Sequence, residues 1–157
     1  MIGKLKHYFV PDIDGRSILL VDVWGTVALL VVTVLLAVTQ AKPVQILALV
    51  VSVVLFLFGC VVFFVGFLRG LGRSRDEEID MAGLFYLTGS APAEAHRAFI
   101  GWIWVQVAVA VVSLAVCRPP FTALAPMLGF GVIPWWGSVH ATFPPRRPPA
   151  SKKASKA

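Results

Sequence analysis

Asparagine is absent from this 157-residue chain, cysteine occurs twice, and Asp, Glu, Lys and Arg together make up only 14% of it. Each shortage excludes something. Without Asn there is no acceptor for N-linked glycosylation. Cys60 and Cys117 form no Cys-x-x-Cys pair and no zinc-binding cysteine set. Their expected depths differ by more than ~10 Å at helical rise, beyond disulfide reach. Soluble domains carry about 25% charged residues, so a soluble globular domain is excluded. Residues 1–22 hold Asp12, Asp14, Arg16 and Asp22, which leaves no apolar core for a cleaved signal peptide.

What is present is apolar and continuous. Hydrophobic residues make up 58% of the chain, and no Asp, Glu, Lys or Arg interrupts Val23–Ala41, Pro43–Leu68, Ala98–Cys117 or Pro119–Pro145. A membrane-crossing helix needs about 20 apolar residues, and each block is long enough. The expected fold is therefore an all-α integral membrane protein. Four transmembrane helices, at about 23–41, 46–67, 98–117 and 121–141, form two hairpins within a domain of residues 1–145. The remainder, 146–157, is basic and Pro-rich and reads as a disordered cytoplasmic tail.

Orientation follows from the basic residues. On a four-span reading, Lys4, Lys6, Arg16, Arg69, Arg73, Arg75, Arg97, Arg146, Arg147, Lys152, Lys153 and Lys156 fall on one side, and only Lys42 and Arg118 on the other. The populated side is the expected cytoplasm, which gives a multi-pass protein of a bacterial inner membrane with both termini inside. Trp24, Trp102, Trp104, Trp135 and Trp136 then all lie toward the same leaflet, where the indole ring favours the headgroup level.

Chemistry-bearing patterns are few. His7, His96 and His140 have no metal-ligand spacing, and no phosphate-binding glycine motif or nucleophile elbow occurs. Asp12-Ile-Asp-Gly15 resembles part of a calcium loop, but the twelfth position is Val23 rather than Glu, so the segment reads as a turn. Asp22 reads as an interfacial residue just ahead of the first span. The expectation is a non-enzymatic protein with no cofactor and no metal.

The connection between spans two and three is the most informative stretch. Ser74 and Glu77 have capping-box spacing, and Asp76, Glu77 and Glu78 suit a helix first turn. The apolar run Met81–Leu87 follows, then Gly89 as a stop. This predicts a short interfacial helix over about 75–88. Its acidic residues would repel anionic lipid, so Asp76, Glu77 and Glu78 with Leu84 and Phe85 are candidate partner contacts. On span two, Phe56, Phe63 and Phe67 share a helical face with Cys60 and join that candidate set. Pro126 and Pro134, with Gly129, Gly131 and Gly137, predict a kinked or broken fourth span.

The stretch Arg73-Ser-Arg-Asp-Glu-Glu-Ile-Asp-Met-Ala-Gly-Leu-Phe-Tyr-Leu-Thr-Gly-Ser-Ala-Pro92, with the closing Phe143-Pro-Pro-Arg146, resembles small membrane proteins of actinobacteria. Within that group it is similar to the small accessory subunit of the Mce lipid-import complex. The resemblance implies an accessory or regulatory role beside a transporter permease. The basic juxtamembrane segments read as lipid contacts, so membrane lipids are expected partners and nucleic acid is not. The alternative is a small oligomeric transporter or lipid-handling protein that works through a broken fourth span.

Overall fold

The computed structural model describes residues 11–117, 120–124 and 126–146. Residues 1–10, 118–119 and 125, and the expected tail from residue 147 onward, lie outside the described residues. The helices are α1 (Arg16–Thr39), α2 (Lys42–Arg73), α3 (Met81–Phe85), α4 (Ala93–Val116) and α5 (Met127–His140), with a 3-10 turn at Phe121–Leu124 ahead of α5. Their boundaries follow local chemistry. Gly15 takes a left-handed conformation (φ 74°) that closes the Asp12–Asp14 turn and opens α1. Pro43 sits in the first turn of α2, where its missing N–H is not needed. Only Gln40 and Ala41 separate α1 from α2.

Helices α1, α2 and α4 are long and apolar enough to cross a membrane. The fourth expected span, 121–141, is divided. Its helical part, α5, has 14 residues, about 21 Å at helical rise, against a hydrocarbon core of about 30 Å. The division follows from Pro120 and Pro126, which bracket the 3-10 turn and donate no backbone hydrogen bond. Helix α1 also starts seven residues before the expected span, at Arg16 rather than Val23, so Asp22 lies inside it.

Helix α5 occupies the centre. Nine of its 14 residues are buried, whereas only six of the 32 in α2 are. Those six, Ala48, Ser52, Gly59, Val62, Gly66 and Gly70, are small residues on one stripe of α2. A methyl group on Gly59 would run into the backbone of Met127 and Leu128. One on Gly66 would lie 2.5 Å from the backbone of Pro134 and Trp135, and Gly131 of α5 faces Gly59 directly. The two backbones are therefore in contact. Apolar side chains gain little by leaving lipid, so such close packing is what associates helices in a membrane. Leu19 of α1, Phe99 and Ile103 of α4, and Leu128, Val132, Ile133 and Trp136 of α5 form the main core. A smaller cluster of Val32, Leu36, Ala48 and Cys117, with Phe121 against it, closes the opposite end.

Inter-helix contacts give the relative directions. The Trp136 indole N–H donates to the Asp14 carbonyl (2.8 Å), and Arg73 reaches the last turn of α5. At the other end, the Gln40 side chain meets the Val116 carbonyl (3.5 Å). Helices α1 and α4 thus run one way, and α2 and α5 the other.

Gly66→Val should force the α2 and α5 backbones apart and destabilise the bundle by roughly 1–3 kcal/mol. Gly101→Ala, where a methyl group meets nothing within 4 Å, should be close to neutral. Thermal melts of the two variants in detergent, followed by circular dichroism, check the contrast; equal midpoints would mean that the helices do not approach as described.

Candidate functional site

Two polar assemblies break the apolar pattern. The first gathers around Arg73 at the end of α2. Its Nη1 donates to the Ser138 carbonyl (3.0 Å) and its Nη2 to the Ala141 carbonyl (3.1 Å), so the guanidinium caps the C-terminus of α5. That terminus carries unsatisfied carbonyls and partial negative charge, which a cation offsets. The same Nη2 pairs with Glu77 (2.7 Å), and Cζ stands 5.5 Å from the centre of the Phe143 ring.

Around this hub the chain after α5 lies along the loop after α2. Glu77 and Pro145 form an antiparallel bridge, Glu78 N–H donates to Pro144 (2.8 Å), and Arg146 N–H donates to Asp76 (2.9 Å). Thr142 N–H donates to the Ser90 carbonyl (2.9 Å). Between the two segments lies a cleft of about 630 Å³, with Glu77, Glu78 and Asp80 on one side and Phe143 and Arg146 on the other.

This arrangement changes the expected loop helix. Ser74 ends α2: its N–H bonds Gly70 and its hydroxyl donates to Leu71. Glu77 is engaged by Arg73, so the capping box over Ser74 and Glu77 does not form. The helix over about 75–88 contracts to the five residues of α3, and its cap is Asp80, whose carboxylate accepts from Gly83 N–H (2.9 Å). Leu87, with φ 57°, and Gly89, with φ 71°, then turn the chain toward α4.

The residues singled out in the sequence divide accordingly. Asp76 and Glu78 have exposed side chains, while Glu77 is half-buried. Leu84 is buried and turned inward, onto Gly70 and Gly137. Phe85 is half-buried, its ring 5.5 Å from Phe63 and 6.3 Å from Phe67, so these three candidates mainly hold α3 to α2. Phe56 is also half-buried. Among the tryptophans, Trp24 and Trp104 are 68% and 67% exposed, as interface residues would be. Trp102 and Trp135 are half-buried. Trp136 is 1% exposed and belongs to the core, its ring tilted against those of Phe99 and His140.

The second assembly went unrecognised in the sequence. Asp22 and Thr26 of α1 and Gln106 of α4 are each at most 1% exposed. Gln106 Nε2 donates to Asp22 Oδ1 (2.8 Å) and to Thr26 Oγ1 (2.7 Å), while its Oε1 accepts from Gly129 N–H (3.0 Å). The Thr26 hydroxyl donates to the Asp22 carbonyl (2.8 Å). Gly129 lies in the first turn of α5, where backbone N–H groups have no partner within the helix. Gln106 supplies one, and joins three helices in doing so. Asp22 Oδ2 accepts no hydrogen bond among the described residues. Asp22, expected just ahead of the first span, instead lies inside α1, which begins at Arg16, and is fully buried beside Gln106 of α4. The available signal was spacing: Asp22, Thr26, Leu29 and Thr33 recur at three and four, placing polar groups on the inward face of α1.

Cys60 and Cys117 are both free thiols. Among the described residues, no three His, Cys, Asp or Glu side chains are grouped to hold a metal ion. The fold and its polar junctions define a helical protein with three helices able to cross a membrane. Neither protein-family models, curated proteins nor solved structures gave a match to this chain.

Arg73→Gln should free the loop from the end of α5 while leaving the core intact. Charge-assisted hydrogen bonds contribute about 1.5–3 kcal/mol each, so amide exchange at Glu78 and Arg146 should accelerate by roughly 10- to 100-fold. Hydrogen-exchange mass spectrometry in detergent checks this, and unchanged exchange there would show that the loop is held without Arg73.

Proposed function

We propose that this protein is a non-enzymatic accessory or regulatory subunit of a larger membrane complex, with an integral membrane protein as its partner. The observation that carries this reading is the outward face of α2. One side of the helix is fixed to α5 through glycines. The opposite side presents Leu47, Val50, Val54, Leu57, Val61 and Phe64, repeating at three and four and all exposed. The helix is about 48 Å long, and a tilt near ~50° would be needed to fit it inside a ~30 Å core, beyond the ~40° that spans usually reach. Leu68 and Leu71, also exposed, thus stand near or past the hydrocarbon boundary, where a partner helix covers them better than lipid.

In this reading four segments cross the membrane as two hairpins, with the 3-10 turn completing the fourth. The α3 end faces the cytoplasm of a bacterial inner membrane. The exposed carboxylates of Asp76 and Glu78 then face a basic surface of the partner. A transporter permease of a lipid-import complex is such a partner, in line with the resemblance of the 73–92 stretch.

A second reading, a small oligomeric transporter or lipid-handling protein, draws on the broken fourth segment. A cavity of about 310 Å³ opens beside it, lined by Phe85, Tyr86, Ile100, Ile103, Trp104, Val107 and Phe130. Its lining is apolar and suits an acyl chain.

A photo-crosslinking amino acid at Leu57 or Phe64 should capture a heterologous membrane protein in native membranes, and Asp76→Lys should reduce its co-purification. Glu77 is left intact because it pairs with Arg73. Capture of copies of this chain alone, with lipid flux by the purified protein in liposomes, would instead establish the second reading. Orientation is checked separately: thiol labels replacing the exposed Thr88 and Gln40 should react from opposite sides of the membrane, and reaction of both from one side would overturn the topology.

A further inference from the structure

We propose that Asp22 is a proton-binding site within the bundle, with the proton carried on Oδ2. The inference goes beyond the accessory role and rests on the geometry of the α1–α4–α5 junction.

A carboxyl group with zero exposure inside an apolar helix bundle needs a counter-charge or a proton, because an isolated buried charge is very costly. No cation pairs with Asp22 among the described residues. On its own helix Arg16 pairs with Asp12, about 9 Å farther along the axis. On α4, Glu94, His96 and Arg97 belong to the first two turns, and Arg97 is spent on the Ala93 carbonyl. On α5, His140 closes the far end against Trp136. On α2, Lys42, Arg69 and Arg73 lie near the helix ends. What faces Asp22 is an amide, a hydroxyl and the first turn of α5.

The orientation of the Gln106 amide decides which cation fits. Gly129 N–H can only donate, so the oxygen of Gln106 must face it and the NH2 group must face Asp22 and Thr26. Thr26 in turn directs its own hydrogen at the Asp22 carbonyl. The hydrogen bonds aimed at the carboxyl group and at Thr26 come from the Gln106 NH2 group, and among the described residues Oδ2 is the carboxyl oxygen left with no partner. Sodium or a divalent ion needs several oxygen ligands. A proton needs one. Binding is a simple addition, carboxylate plus H⁺ giving the carboxylic acid. Oδ1 continues to accept from Gln106 in both states.

The first turn of α5 gives the site a consequence. A helix N-terminus carries partial positive charge, and here it is a broken-helix end within the bundle, the arrangement that holds ions in many transporters. Releasing the proton leaves a full negative charge that draws on this end through Gln106. The site thereby couples a proton to the seating of the central helix.

The test is infrared difference spectroscopy of the full chain in lipid nanodiscs, titrated over the pH range in which it stays folded. The wild type should show a carboxylic-acid carbonyl band that converts to a carboxylate band as pH rises. Asp22→Asn, which keeps an oxygen for Gln106, should lose that band, and Asp22→Glu should retain it at a shifted frequency. Should Asp22→Asn fail to fold, carboxyl ¹³C-aspartate labelling of the wild type reads the same conversion by solid-state NMR. A wild-type-minus-variant spectrum without an acid band at any pH would overturn the proposal. A band that responds to sodium at constant pH would also overturn it, in favour of a metal cation.

Discussion

A helix that starts inside an apolar bundle brings N–H groups to a place where water cannot satisfy them. Every backbone polar group at membrane depth needs an internal partner. Helix α5 starts that way because Pro126 precedes it, and the Oε1 of Gln106 is the acceptor it finds at Gly129. The remaining contacts of the junction follow. An amide that accepts on one side must donate on the other, so its NH2 group is committed to α1, and Asp22 and Thr26 are the acceptors there. One neutral side chain thus sets the mutual register of three helices, and the register brings Leu19, Phe99 and Trp136 together one to two turns away.

The other end of α5 is treated in the complementary way. Its last carbonyls take the Arg73 guanidinium from α2. The two ends differ in cost. Arg73 is half-buried, so its charge retains access to water, whereas Gln106 is fully enclosed and carries no net charge. Between these caps, glycine-to-backbone contact along α2 holds the helix laterally.

Much of this plan was legible in the residues. The uncharged blocks marked the long helices, because lipid excludes charge over a fixed thickness. Pro126 announced an interruption in the last segment, whereas α5 runs on through Pro134. Gly66 and Gly70 stand at the four-residue spacing of closely packed membrane helices, but nothing in the sequence says which helix they meet, and Gly59, which lies against the α5 backbone, belongs to the same stripe. Other features depended on tertiary partners that local pattern does not reveal. Ser74 and Glu77 satisfy a capping rule, yet Arg73 claims Glu77 and α2 claims Ser74. Asp22 was placed at the interface because a charged residue seemed to end the span, whereas the helix continues outward past it to Arg16. Trp136 matched the aromatic-belt pattern, but its N–H found the Asp14 carbonyl instead of headgroups.

The central position of α5 bears on how the molecule is made. It is the last of the described helices in chain order, yet it is the one on which the others pack. While the ribosome is still producing it, α1, α2 and α4 can enter the bilayer, but the glycine stripe of α2 lacks its facing helix and the Gln106 oxygen lacks its Gly129 donor. Until α5 arrives, those surfaces face lipid or a membrane chaperone. A chain stopped after α4 would leave a polar, poorly packed seam in the bilayer, a defect that membrane quality-control proteases are suited to recognise.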